Sequence, residues 1–317
     1  MNVETYTGLG LHEMFDEDRV GITVNGRANA ELAKALNTEG DAAYHPCPQA
    51  FRRDTTPRGT VTHIDDWTES DIFANTTRQV AVYEPATAPP GPTPLMVFND
   101  GRGYLDEQGS VRAAAVLDTL IARGDIAPTI AVFVMPGRPQ GNPPVTPENH
   151  DSIQQVAASN QRRHEYDSLT DHYVRFLDDE LLPGLASRLG LTISDDPSER
   201  AICGISSGGI AAFTAAWFRP QSFAKVLSHC GSFVNIIGGH NYPYLIRSTE
   251  RKAVRVMLTS GELDGNIVTG NWPLANKQMA AALDFAGYDH RFEFGTGGHN
   301  LRHGGAIFAD SMRWLWR

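Results

Sequence analysis

The stretch Ala201-Ile202-Cys203-Gly204-Ile205-Ser206-Ser207-Gly208-Gly209 constrains this chain more than any other. A short apolar run enters a Gly-x-Ser-x-Gly turn at Gly204, Ser206 and Gly208, and an alanine-rich helical stretch, Ile210 to Trp217, leaves it. Strand, glycine-flanked serine and helix in that order make the sequence form of a nucleophile elbow, a strained turn that lifts one hydroxyl above the end of a parallel sheet. The glycines have a steric reason: a serine at φ > 0 needs neighbours without Cβ so that strand and helix can approach. The helix aims its first N–H groups at the place where an oxyanion would develop. Many α/β proteins carry a serine in a Gly-rich βα turn, so Ser206 as nucleophile depends on what the rest of the chain supplies.

The surrounding pattern is that of a sheet. Thr60 to His63 and Gln79 to Tyr83 alternate apolar and polar residues, as half-buried antiparallel strands do. Leu95 to Phe98 is a continuous apolar run of the buried parallel type, and Thr129 to Val134 is another. A helical stretch, Val111 to Ala122, separates them. Pro136 to Asp167 reads as a long irregular loop. Ser168-Leu169-Thr170-Asp171 resembles a capping box ahead of Tyr173, Phe176, Leu177 and Leu181 at helical spacing. After the elbow, Lys225 to Ser228, Arg255 to Thr259 and Arg291 to Phe294 read as strands. Helices follow the last two, from Pro273 to Ala286 and from Gly305 onward. The expected fold is α/β: a doubly wound, mostly parallel sheet with antiparallel N-terminal strands. Residues 57-317 form the expected catalytic domain. Residues 1-56, with one helical piece over Ala28 to Leu36, are expected to wrap the core or support a subunit contact.

Composition excludes several classes. A formal net charge of −10 speaks against nucleic acid, whose phosphates need clustered Lys and Arg. No apolar run approaches the roughly 18 residues of a membrane span, and the acidic stretch Met1 to Val20 is unlike a signal peptide. Cys47, Cys203 and Cys230 are scattered, which suits a reducing compartment and argues against a disulfide framework or a cysteine zinc site. The expectation is a cytoplasmic protein.

A serine hydroxyl needs a base to take its proton, and the base needs an orienting acid. In elbow-type sheets these follow in the order Ser, acid, His, each on a loop at a strand's C-terminal end. After the strand ending at Thr259 comes Ser260-Gly261-Glu262-Leu263-Asp264-Gly265, and after the strand ending at Phe294 comes Gly295-Thr296-Gly297-Gly298-His299. His299 is the expected base. His303 competes with it, and the two could be read as an i, i+4 metal pair. No Glu follows His299, however, as the His-Glu-x-x-His metal motif requires. Asp264 lies deeper in its loop and can curl back to His299, whereas Glu262 sits nearer the strand end; Asp264 is preferred and Glu262 stays open. An oxyanion hole needs two N–H donors about 3 Å from the developing charge. Ser207 N–H and Arg102 N–H, the latter in Asn99-Asp100-Gly101-Arg102-Gly103-Tyr104, are the expected pair.

With these motifs in order, the chain resembles the esterase D and enterochelin-esterase-like group of α/β hydrolases. The resemblance runs from about residue 57 to the end. It includes Pro57-Arg58-Gly59-Thr60, Val97 to Tyr104, Phe133 to Gly137, Arg163 to Asp167 and Ser228 to Phe233. It implies Ser206, Asp264 and His299 as catalytic residues, Arg102 and Ser207 as oxyanion donors, and no metal or organic cofactor. Such proteins cleave siderophore trilactones, feruloyl and acetyl esters of polysaccharides or S-formylglutathione, or transfer mycolyl groups. Cys230 stands where relatives usually carry a small hydroxyl residue and is expected to be a buried packing substitution.

The expected function is therefore a serine carboxylesterase acting on an ester or lactone through an acyl-enzyme. The alternatives are a feruloyl or acetyl carbohydrate esterase, an acyltransferase, and a non-catalytic ligand-binding relative. The expected partner is a small-molecule ester, with neither nucleic acid nor membrane; a homo-oligomer contact through the N-terminal extension is left open. Val234 to Lys252 is too short and polar for a lipase lid. Tyr104, Arg162 and Arg163 are the candidate substrate contacts: Arg162 and Arg163, with Arg102, suit an anionic or catecholate substrate, and the first two read equally well as solvated or as paired with Glu165 and Asp167.

Overall fold

A computed structural model describes residues 40–89, 91–143 and 153–317, with residues 153–159 as backbone only, plus the backbone of Thr23–Val24 and Arg27–Ala28. These last two pairs form a two-residue antiparallel ladder. Ala28 therefore belongs to that ladder, and the rest of the helix expected over Ala28 to Leu36 lies outside the described residues.

Uninterrupted apolar runs need cover on both faces of a sheet, and here they find it. Eight strands build the sheet: β1 (Thr60–Trp67), β2 (Thr76–Glu84), β3 (Leu95–Asn99), β4 (Ile130–Val134), β5 (Arg200–Ile205), β6 (Lys225–His229), β7 (Arg255–Leu263) and β8 (His290–Gly298). Their spatial order is β8-β7-β6-β5-β3-β4-β2-β1, with the short piece Arg138–Pro139 paired to β2. From β3 to β8 all pairings are parallel, while β2 runs antiparallel to both β1 and β4. The expected fold class is what the structure has. β2 differs from its expectation: lying between β1 and β4, it is buried along nearly its whole length rather than on one face.

Period-two alternation divides the core. Leu95, Val97, Val132, Ile202, Val226 and Leu258 face one layer, and Met96, Phe98, Phe133, Cys203, Leu227 and Met257 the other. Nine helices are labelled in chain order: α1 (Gly101–Leu105), α2 (Ala113–Ala122), α3 (Ile153–Tyr166), α4 (His172–Arg175, continued by a π-helical Phe176–Leu181 and by Leu182–Leu189), α5 (Ser207–Phe218), α6 (Tyr242–Ser248), α7 (Trp272–Phe285), α8 (Arg302–Ala306) and α9 (Phe308–Trp316). The first layer holds α4, α5 and α7 through Leu177, Leu185, Phe213 and Met279; the second holds α2 and α9 through Val116, Leu120, Phe308 and Met312. α5 is buried from Ser207 to Trp217, as an all-apolar helix at the centre of a sheet must be.

Two expectations change. The stretch Pro136 to Asp167 is not one loop, because it contains α3, whose polar sequence carries no apolar stripe to announce it. The capping box at Ser168 to Asp171 does not form. Asp171 caps without a side-chain bond. Thr170 Oγ1 accepts the His172 N–H at 3.4 Å, and Ser168 donates its hydroxyl back to the His164 carbonyl at 2.6 Å. Ser168 follows α3 so closely that the end of that helix claims it.

Candidate active site

The C-terminal ends of β3 to β8 deliver the site. At the end of β5, Ser206 takes φ 58° and ψ −122°, the strained conformation expected of the elbow. Backbone bonds hold it there: Ser206 N–H donates to the His229 carbonyl at 2.9 Å, and the Ser206 carbonyl accepts from Ser232 N–H at 3.1 Å and Gly209 N–H at 3.0 Å. Gly204 is needed for close approach, since a Cβ on it would lie 2.1 Å from the Gly208 carbonyl oxygen.

β7 and β8 pair in parallel past their expected ends, with Gly261 opposite Gly295 and Leu263 opposite Gly298. Their loops therefore leave the sheet side by side and bring Asp264 to His299. His299 Nε2 lies 2.9 Å from Ser206 Oγ, and His299 Nδ1 lies 2.6 Å from Asp264 Oδ1. The Asp264 side chain is fully buried. Gly265 N–H donates to its Oδ1 at 2.7 Å, and the Ser260 hydroxyl to its Oδ2 at 2.6 Å. Glu262 is exposed, on the solvent side of the loop. The Trp272 ring meets the His299 ring edge-on at 5.5 Å, and Ser232 Oγ lies 3.2 Å from Ser206 Oγ. His303 is buried and stacked on Tyr44 at 4.6 Å, and burial holds its pKa below the ordinary value. Hydroxyl, imidazole and carboxylate thus form one hydrogen-bonded path, an arrangement able to activate the hydroxyl as a nucleophile.

Ser207 N–H begins α5 and has no carbonyl of its own helix to meet. Arg102 N–H, in α1, points at Met135 Sδ at 3.4 Å. A thioether is a weak acceptor, so a substrate oxygen can displace it without serious cost. A cavity of about 960 Å³ adjoins this end of the site, lined among others by Arg58, His63, Arg102, Phe133, Met135 and Leu301. Ser206 is not part of its lining; Ile205 and Arg102 join the cavity to the elbow.

The three substrate candidates are placed differently from expectation. Tyr104 has no exposed surface and packs against Phe98 and His229 at ring distances of 5.1 and 5.9 Å, so its phenol cannot reach a ligand. Arg162 gives its guanidinium fork to Asp100, with Nε 2.9 Å from Oδ1 and Nη2 2.7 Å from Oδ2. Arg163 donates through Nη2 to the Ile236 carbonyl at 3.3 Å. Cys230 is buried as expected, and burial raises its pKa well above the ordinary value. It does more than pack, because its thiol lies 3.7 and 3.8 Å from the carbonyls of Gly298 and Asn300, on either side of His299. Cys230, Asp264 and His299 offer ligand atoms within 4.8 Å of one another, the one such group of three among the described residues. The short His299–Asp264 bond already occupies two of those atoms.

The strand order, the elbow at the end of β5 and the carboxylate and histidine after β7 and β8 define an α/β hydrolase. Residues 72–314 match the family described as "Putative esterase", and the chain belongs to that family. It shares 33% identity over 156 residues with the iron(III) enterobactin esterase of Dickeya dadantii (strain 3937), covering 43% of this chain and 33% of that protein. The enterobactin esterase of Shigella flexneri, solved in the presence of 2,3-di-hydroxy-N-benzoyl-serine, is similar with a TM-score of 0.62 and 20% identity, over 82% of this chain and 61% of that one. The ferulic acid esterase of the anaerobic fungus Anaeromyces mucronatus has a TM-score of 0.61 and 16% identity, over 86% and 96%. The chain therefore spans only a third of the Dickeya protein and about three fifths of the Shigella one. Among the described residues no helix is long and apolar enough to cross a membrane.

Proposed function

We propose that this chain is a serine carboxylesterase that cleaves a small-molecule ester or lactone with an aromatic acyl group. The observation that carries the reading is the unbroken path from Asp264 through His299 to Ser206 Oγ. Ser206 Oγ attacks the acyl carbon while His299 Nε2 takes its proton. The oxyanion that forms is met by Ser207 N–H and by Arg102 N–H, which gives up Met135 for it. His299 returns the proton to the leaving alkoxide, and a water molecule, activated by the same nitrogen, releases the acid and restores Ser206. Asp264 keeps the imidazole oriented and offsets its charge.

The aromatic acyl class is supported by the relatives named for enterobactin and ferulic acid, and by a cavity that sets Phe133, Met135 and Leu301 beside Arg58 and Arg102. An apolar wall with guanidinium groups suits an electron-rich ring, while Asp65, Asp106 and Glu107 on the same lining oppose a strongly anionic one. A siderophore lactone is the first choice. A feruloyl ester is the second, favoured by the 96% coverage of the ferulic acid esterase chain. The buried free thiols Cys47, Cys203 and Cys230 suit the cytoplasm.

The test is a panel of siderophore lactones, feruloyl esters, acetylated sugars and p-nitrophenyl acyl chains, run beside fluorophosphonate labelling. Ser206→Ala should lose labelling and at least ~10³-fold of turnover. Near-wild-type hydrolysis by the folded variant would sink the reading.

A further inference from the structure

We propose that Asp41 is a positioning residue for His299, and that Gly40 to Tyr44 belong to the working site although they precede the family match at residue 72. The proposal rests on the esterase reading for its kinetic consequences, but not for the geometry. Asp41 is 3% exposed. Its Oδ1 accepts the Gly298 N–H at 2.9 Å and its Oδ2 accepts Asn300 Nδ2 at 2.6 Å, so one buried carboxylate grips the residues on both sides of His299. Two residues upstream of that grip, Tyr44 Oη accepts the Thr296 N–H at 3.0 Å, and the Thr296 hydroxyl donates to the Gly40 carbonyl at 3.1 Å.

The sheet shows why such a strap is needed. Among the described residues β8 is the edge strand and is paired only with β7. Past Gly295 the chain that carries His299 has sheet on one side and would otherwise have water on the other. A loop so exposed would move freely, and misplacing a base by about 1 Å can cost ~10²-fold in rate.

The glycines of the loop fit the strap. A Cβ on Gly295 would lie 2.0 Å from Tyr44 Oη, and one on Gly297 would lie 3.1 Å from Asp41 Oδ1. On the strap itself, a Cβ on Gly40 would lie 1.8 Å from the Thr296 carbonyl oxygen. Neither Gly295 nor Gly297 has positive φ, so their lack of a side chain serves this approach and not a turn. The Gly-rich loop before the base is cut to the shape of residues 40–44. Both Asp41 oxygens bond to the neighbours of His299, so Asp41 acts by holding the backbone that carries the imidazole.

The test is an exchange of donor and acceptor in the full chain: Asp41→Asn, Asn300→Asp and the double variant. Asp41→Asn turns an amide toward the Asn300 amide, and Asn300→Asp sets two carboxylates together. The double variant restores one donor against one acceptor. Each single variant should lower kcat by 10- to 100-fold on a neutral ester with KM within about twofold, and slow fluorophosphonate labelling in parallel. The double should recover to within a few fold. Should the single variants fail to fold, Tyr44→Phe, which removes only the Thr296 bond, should still lower kcat severalfold. Hydrogen exchange of the 294–301 peptide needs no turnover: it should quicken in Asp41→Asn and slow again in the double. Failure of the wild type on every ester would refute the esterase reading while this exchange still judged the strap. Folded Asp41→Asn with wild-type kcat, labelling and loop exchange would overturn the proposal, as would a double variant no better than the singles.

Discussion

Arg162 holds Asp100 by two parallel hydrogen bonds, of 2.9 and 2.7 Å, at the point where β3 turns into α1. Asp100 is left-handed, at φ 53° and ψ 40°, and caps the helix that carries Arg102 N–H. A bidentate fork fixes a carboxylate in orientation as well as position, which a lysine cannot do. Arg162→Lys should therefore lower kcat by roughly tenfold and leave KM nearly unchanged. Steady-state kinetics on the best ester decide it; a raised KM with intact kcat would return Arg162 to substrate binding.

The two loop carboxylates should separate cleanly. Asp264→Asn removes the buried acceptor of His299 Nδ1 and should cost up to ~10⁴-fold in kcat, whereas Glu262→Gln should stay within about twofold. His303→Gln should likewise keep most activity that His299→Gln loses. Reversal of either ranking would reassign the acid or the base.

Much of the sheet was legible because its strands advertise themselves: Leu95 to Phe98 and Ala201 to Cys203 are apolar without a break and bounded by turn residues. That Asp264 and His299 would meet at Ser206 was legible because chain order in this fold mirrors strand order. What escaped depends on contacts that sequence does not encode locally. Asp41 grips a loop 257 and 259 residues away from within a segment that has no periodicity. Tyr104 follows glycines as an exposed loop residue would, yet α1 turns it into the core beside Phe98. Arg162 reads in the sequence as a cation for a substrate, for solvent or for Glu165 and Asp167 nearby, because its partner Asp100 lies 62 residues earlier.

The elbow's stability can be probed through its glycines. Gly204→Ala forces a Cβ to 2.1 Å from the Gly208 carbonyl oxygen, between two backbones that cannot yield. It should destabilise by about 3 kcal/mol or more, or abolish soluble expression. Gly103→Ala is the control, because its Cβ meets only Leu301 Cδ1 at 3.5 Å within α1. It should be neutral or gain up to ~1 kcal/mol. Denaturant midpoints of the two variants give the comparison.

Exhaustive dialysis against a chelator should leave hydrolysis intact, since the proposed chemistry routes no step through a metal. Added zinc at high concentration should inhibit if it has any effect, because it would compete with Asp264 for His299 Nδ1 and with the Cys230 proton. Activity lost on chelation and regained with zinc would replace the hydroxyl nucleophile with a metal-bound water.

Acid stability should be governed in part by His229, which has no exposed surface and sits behind the elbow, with Nδ1 3.0 Å from Thr259 Oγ1. Burial, reinforced by nearby His303, lowers its pKa from 6.5 to about 3. A histidine kept neutral in the fold binds its proton more readily when unfolded, so unfolding takes up protons between those two values. The stability this ring confers is complete above about pH 6.5 and is lost progressively as the pH falls toward 3. His229→Asn keeps the bond to Thr259 and removes the titration. Wild type should be the more stable at pH 7.5, through the packing of its ring. The gap should narrow by about 3 kcal/mol by pH 4, taking the unfolded histidine at its ordinary value of about 6.5. Chemical denaturation of both proteins across that range reads the difference directly, because carboxylates common to the two cancel. Parallel stability curves would mean that His229 keeps the same proton affinity folded and unfolded, and that some other group drives acid unfolding.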